Sequence, residues 1–295
     1  MSRLRTLAAV AAVASAFCLP AAPALAFETE ASVKAKINLA GRQRMLTQRI
    51  AKAACLVHRD VAPEASLAML AGAHAAFTGT QQALRFGDPE RNLRPEGSRQ
   101  IVHFLDEVNE AWTPFGLAVK ASLDEGAVTE ARLRTIVEHD MEVLRRMDRA
   151  VRRMSRTHGA AMAMRANAKA IDWAGAQRML TQRMAKDYCL IAAEIEPAAS
   201  RFDLVQSVAL FETRLAARIA GDDAAGVAPP SPEALAHLRA VETGWATLAP
   251  RLRAAGAGAT PSEDDLATVV EALDALLVEA HAAVAAMEGA SAETH

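Results

Sequence analysis

Ile37-Asn38-Leu39-Ala40-Gly41-Arg42-Gln43-Arg44-Met45-Leu46-Thr47-Gln48-Arg49-Ile50-Ala51-Lys52 returns as Ile171-Asp172-Trp173-Ala174-Gly175-Ala176-Gln177-Arg178-Met179-Leu180-Thr181-Gln182-Arg183-Met184-Ala185-Lys186. The offset is 134 positions without a gap. Such self-similarity fixes the architecture before any other reading: one module is used twice. Neither copy contains proline, and both are rich in helix formers, so each reads as a helix.

Placed at about 100° per residue, the first copy has two faces. One stripe carries Ile37, Gly41, Arg44, Gln48, Ala51 and Cys55; roughly opposite lie Leu39, Leu46, Ile50, Ala53 and Val57. The second copy repeats this with Ile171, Gly175, Arg178, Gln182, Ala185 and Cys189 against Trp173, Leu180, Met184 and Ile191. Asp187 intrudes on the second apolar side. A surface helix needs one apolar stripe, so the larger one is expected to face its own bundle. The smaller stripe, with its glycine, reads as a seam against another helix, with Arg44 and Arg178 set into it. The bland reading is a flank arginine whose head stays in water; repetition of the whole face favours the seam. Arg49 and Arg183 lie off it and are expected to be solvated. Arg42 becomes Ala176, so the shared chemistry does not need it.

These residues resemble a known family. Ala40-Gly41-Arg42-Gln43-Arg44-Met45-Leu46-Thr47-Gln48-Arg49 is similar to the signature of the type IV pili methyl-accepting chemotaxis transducer N-terminal domain, the PilJ-type domain, which is similar to the periplasmic domain of nitrate/nitrite sensor kinases. The resemblance implies a four-helix bundle in which paired first helices grip one nitrate through an arginine from each. Carried onto this chain, those arginines are Arg44 and Arg178, with Gly41 and Gly175 allowing close approach. Gln48 and Gln182, one turn further along, are expected to add polar contacts. The likeness covers about sixteen residues per copy, and no kinase module or chemotaxis signalling helix accompanies it. Any output must pass through a partner, such as a membrane sensor or chemoreceptor.

Arg3 and Arg5, the apolar run Leu7 to Leu19 and Ala24-Leu25-Ala26 form a secretory signal peptide over residues 1–26. An uncleaved anchor is the alternative, but the apolar run is short for a span. The expected location is therefore the periplasm, without membrane insertion after cleavage. With Arg3 and Arg5 removed, 31 Lys+Arg stand against 35 Asp+Glu, a net charge of −4. That balance gives no electrostatic reason to expect nucleic acid.

The remaining pattern is all-α: two tandem up-down-up-down four-helix bundles, residues 27–158 and 159–289, with a frayed tail at 290–295. In the first module helices are expected over about 29–58, 64–85, 98–123 with a kink at Pro114, and from Thr129 to about 158. In the second, Phe211 repeats Phe77 and Trp245 repeats Trp112, the latter at an offset of 133. Ser231-Pro232 reads as a helix start, and Thr260-Pro261-Ser262-Glu263 has capping-box spacing. If the chain turns near Thr157-His158-Gly159, the two first helices run parallel; if it continues straight, the bundles stack end to end. Gly159 favours the turn. In the parallel case Cys55 and Cys189 come within bridging range, the alternative being two buried free thiols.

Other chemistry is poorly supported. Cys-x-x-Cys-His for haem is absent, and His58, His74, His103, His139 and His158 show no metal-ligand spacing. Met154, Met162 and Met164 read as packing rather than a copper site. No phosphate loop and no nucleophile–base pair stand out, so neither a cofactor nor catalysis is expected. Two functions remain: a periplasmic module binding a small oxyanion, nitrate or nitrite foremost, or a helical interaction protein of an envelope system with no small ligand. The sequence leaves the oligomeric state open. The targeting segment is checked directly: protein recovered from the periplasm should begin at Phe27 by mass spectrometry, and a full-length chain held in the membrane would contradict it.

Overall fold

The computed structural model describes residues 30–91, 93–158, 165–224 and 227–293. Its helices are α1 (Glu30–His58), α2 (Pro63–Phe86), α3 (Arg99–Glu125), α4 (Glu130–His158), α5 (Arg165–Ala192), α6 (Pro197–Ala220), α7 (Pro232–Gly256) and α8 (Glu263–Glu293). No strand occurs among the described residues. Helix α1 packs on α2 and α4, and α3 closes the ring between them; α5 to α8 repeat the arrangement. The two bundles meet through α1 and α5. The signal segment lies outside the described residues.

The repeat extends to turns and core. After α1, Val61 N–H donates to the Leu56 carbonyl, and after α5 Ile195 donates to Leu190, each at 3.0 Å. Both turns place a non-glycine residue in left-handed backbone at the helix end, Asp60 at φ 55° and Glu194 at φ 56°. Pro63 and Pro197 then open the next helix, where a missing N–H costs nothing. Phe77 stacks on Trp112 at 4.1 Å, and Phe211 meets Trp245 at 4.4 Å. Even the loops after α2 and α6 match. Asp88 and Leu93 exchange two backbone hydrogen bonds of 2.8 Å, as do Asp222 and Val227. The lost residue therefore falls later, where Glu96-Gly97 shrinks to Pro230.

Several local expectations change. Helix α8 is capped by Ser262 rather than Thr260: its Oγ accepts from Asp265 N–H at 3.1 Å and donates to the Asp265 carboxylate at 3.0 Å. Ser262 wins because Glu263, Asp264 and Asp265 then fill the first turn, where the helix dipole favours negative charge. Helix α8 also runs to Glu293, into the segment expected to fray; Ala290, Ala292 and Glu293 are helix formers with no breaker among them. Helix α3 is continuous through Pro114. Arg183 is not solvated: it is largely buried and pairs with Asp203 at 3.1 Å.

Helices α1 and α5 run parallel with equal positions opposed. Cys55 and Cys189 are joined, with Cα atoms 6.2 Å apart. Since α4 runs antiparallel to α1 in its bundle, α5 also runs antiparallel to α4. A link closing 134 residues contributes roughly 5 kcal/mol by loop-closure entropy, less any native strain. Mature protein denatured without reductant is expected to show no free thiol in a colorimetric count; two thiols per chain would refute the link.

Candidate functional site

The seam between α1 and α5 holds a buried polar strip. Nearest the cystine, Lys52 crosses from α1 to Asp274 on α8, its Nζ 2.7 and 2.8 Å from the two carboxylate oxygens. Lys186 crosses from α5 to Asp140 on α4, at 2.5 Å. Lys52 and Lys186 are repeat equivalents, and Asp274 stands one residue beyond Leu273, the equivalent of Asp140 at the offset of 133 that holds in α4 and α8. Each bundle thus sends a buried ammonium into the other. Ions this deep are stable only with such partners, and removing one typically costs about 3–5 kcal/mol.

The two pairs differ in electrostatic balance. Burial lowers the pKa of Lys52, and Asp274 only partly offsets it. Burial also opposes the charge on Lys186, but Asp140 and Asp187 outweigh it and raise its pKa. Asp187, unexplained by helical patterning, is thus a second counter-ion, with an oxygen 3.2 Å from Lys186 Nζ. Its repeat equivalent is Ala53. Burial pushes the Asp187 carboxyl up to about 6 despite Lys186 and Arg183.

One turn from the lysines, Gln48 and Gln182 are fully buried. Gln182 Nε2 donates to Asp274 Oδ1 at 2.9 Å, joining the Lys52 pair. Gln48 Nε2 lies 3.4 Å from Thr47 Oγ1. A further turn along are Arg44 and Arg178, 6% and 7% exposed. Their guanidinium groups converge at Gly175. A Cβ added there would stand 3.3 Å from Arg44 Nη2 and 3.7 Å from Arg178 Nη2. One added at Gly41 would lie 3.8 Å from Arg44 Nη2. Glycine at 175 therefore leaves room for an arginine from the opposite helix. The structure brings Arg44, Arg178, Gly41 and Gly175 together, sets Gln182 on the Lys52 pair and leaves Gln48 against Thr47.

Four further residues shape this end of the seam, none of them singled out from the sequence. Arg44 Nη1 donates to Asp148 Oδ1 of α4 at 2.8 Å, and the other oxygen of Asp148 is held by exposed Arg152. Arg178 Nη2 lies 3.5 Å from Asn38 Oδ1. Arg218 of α6 is 1% exposed, and its Nη1 donates to Gln177 Oε1. Burial, with a contribution from Arg178, pushes the Arg218 pKa down to about 10, so it stays charged at neutral pH. The repeat equivalent of Arg218 is Leu84, and that of Asp148 is His281. The repeat conserves Lys52 and Lys186, but their aspartates do not stand at equivalent positions, so the offset alone does not pair them. Asp148 and Arg218 break the repeat, and periodicity gives no hint of them. Among the described residues no group of His, Cys, Asp and Glu is arranged to hold a metal.

The family profile for the type IV pili methyl-accepting chemotaxis transducer N-terminal domain (PilJ) matches residues 26–136 and again 160–275. The chain belongs to this family of signalling domains, in two tandem copies. No curated protein and no solved structure matches it. No described helix is long and apolar enough to cross a membrane.

The raised Asp187 carboxyl makes a signed prediction. A buried acid whose folded pKa exceeds its unfolded value binds its proton more tightly in the native state. Its contribution to stability is present at low pH and is lost as pH rises from about 4 to about 6. Asp187→Asn removes this loss while leaving Lys186 its Asp140 partner. The stability difference between variant and wild type should move in the variant's favour across that window by up to about 3 kcal/mol, read by denaturation at a series of pH values. A difference that stays constant would refute the assignment.

Proposed function

We propose that the protein is a periplasmic sensor-type module that binds one small oxyanion between Arg44 and Arg178 and reports to a membrane partner. Nitrate or nitrite is the expected ligand. The observation carrying this reading is the convergence of two buried guanidinium groups, one from each repeat, on Gly175. Two such charges roughly 6 Å apart repel by about 3 kcal/mol at an effective dielectric of ~20. A planar oxyanion between them replaces repulsion with charge-assisted hydrogen bonds, and the arginine fork matches its in-plane oxygens. Family membership supports a sensory role and a membrane-bound partner, and the sequence resemblance to nitrate/nitrite sensor domains supports the ligand class. Non-catalytic function is consistent with both.

The tandem arrangement makes the seam internal, so one chain supplies both arginines and the stoichiometry is one anion per chain. Calorimetric titration of mature protein with nitrate, nitrite, sulfate and chloride is the direct test. Arg44→Ala and Arg178→Ala are each expected to remove most of the affinity, with helical circular dichroism retained. Failure of wild type to bind any of these anions at millimolar concentration would leave the interaction-protein reading instead.

A further inference from the structure

Asp148 has no use in a symmetric two-arginine site, and its position is informative. It lies on α4, outside the seam, yet its Oδ1 reaches Nη1 of buried Arg44 at 2.8 Å. Its other oxygen is engaged by Arg152, one turn further along α4 and 65% exposed at the side chain. The second repeat has His281 at this position, at the offset of 133 that holds in α4 and α8, so this place in the fold carries a carboxylate in the first bundle alone. The carboxylate side chain is itself 23% exposed, neither locked in the core nor fully solvated.

We infer that Asp148 is an internal competitor for the anion site, and that Arg152 sets how strongly it competes. This rests on the proposed anion binding between Arg44 and Arg178. An incoming oxyanion and Asp148 share one attraction, the Arg44 guanidinium, and the two negative charges repel across it. Binding must therefore weaken the Asp148–Arg44 pair, leaving Asp148 to Arg152. Asp148 thereby lowers affinity and holds Arg44 in place while the site is empty. Arg152 works in the opposite sense. By drawing on the same carboxylate from the surface, it loosens the hold on Arg44 and favours the anion. Any negatively charged partner group that captured Arg152 would return Asp148 to Arg44 and oppose ligand binding, and linkage makes that antagonism reciprocal.

The test uses two substitutions with opposite expected signs. Asp148→Asn keeps the shape but removes the charge, and is expected to tighten nitrate binding about tenfold, the scale of one charge-assisted hydrogen bond. Arg152→Ala is expected to weaken it by about twofold to fivefold, the scale of an exposed ion pair. In the double variant Asp148→Asn/Arg152→Ala the effect of Arg152 should vanish, because it acts only through the carboxylate. Calorimetric titration with nitrate reads all four proteins, and circular dichroism confirms that each is folded. Nitrate binding that is unchanged in Asp148→Asn overturns the competitor role while leaving the anion site standing. Equal loss from Arg152→Ala with and without Asp148 would show a general surface-charge effect and also overturn it. Absence of nitrate binding in all four proteins removes the anion site itself, and the competitor with it. Binding that emerges only in Asp148→Asn supports both.

Discussion

The parallel, in-register approach of α1 and α5 is the constraint on which the rest of the molecule depends. Two copies of one amphipathic helix can oppose equal positions only about a dyad. Once they do, every repeated residue on the seam meets its own counterpart or the counterpart's neighbours. Cys55 finds Cys189, Gly175 admits Arg44, and the lysines exchange partners across the bundles. A slip by one turn would break both lysine pairs at once and leave buried ammonium groups uncompensated. Buried ion pairs add little net stability against an apolar core, but they penalise the wrong register heavily. The cystine forbids that slip covalently, and the lysine pairs forbid it electrostatically.

A homodimer built from one such bundle would have to keep both halves alike, because each substitution appears twice. Fusion of two copies removes that restriction. Here the halves have diverged at the points that set local charge: Asp148 against His281, Leu84 against Arg218, Ala53 against Asp187. The split runs through the whole chain. Residues 27–158 carry 20 Lys+Arg and 17 Asp+Glu, whereas residues 159–295 carry 11 and 18. On α4, Arg149, Arg152, Arg153 and Arg156 line a groove with Gln100 and Phe104. Helix α8 has no lysine or arginine. The apolar repeat thus preserves the packing while the polar positions are released to specialise.

How much of this was legible in the sequence follows from the same division. Approximate helix limits and the pairing of Phe77 with Phe211 and Trp112 with Trp245 as repeat equivalents follow from periodicity and self-similarity, whereas the Phe–Trp contacts themselves come from the packing. The convergence of Arg44 and Arg178 on Gly175 followed from treating the repeated minor stripe as a seam. The cysteine link was one of two open readings, since deciding it required knowing that α5 runs parallel to α1. Lys52 and Lys186 lie in the repeated stretch, but charged residues on a helix are ordinarily solvated, and the repeat does not place Asp140 and Asp274 at equivalent positions. Asp148 and Arg218 were illegible in principle. They reach the seam from α4 and α6, and which outer-helix residue meets an inner one depends on bundle packing rather than on any pattern along the chain.

The geometry also limits what a ligand could do to this fold. The cystine and the arginines are eleven residues apart on each helix, about 16 Å of helix rise. At the cystine the two backbones have one separation, and the lysine pairs next to it hold the register. At the arginines nothing covalent joins α1 to α5, and the opposing side chains carry like charge. A change in interhelical spacing therefore grows with distance from the cystine and is greatest where α1 begins and α4 ends. Helix α4 follows any such change, because Asp148 ties it to Arg44, whereas the second bundle has His281 at that place, which bonds to the Leu277 carbonyl of its own helix. The seam behaves as a hinge pinned at one end, and its free end is the one that carries the charge asymmetry. A small displacement at the arginines would thus emerge on the basic surface of the first bundle rather than equally on both.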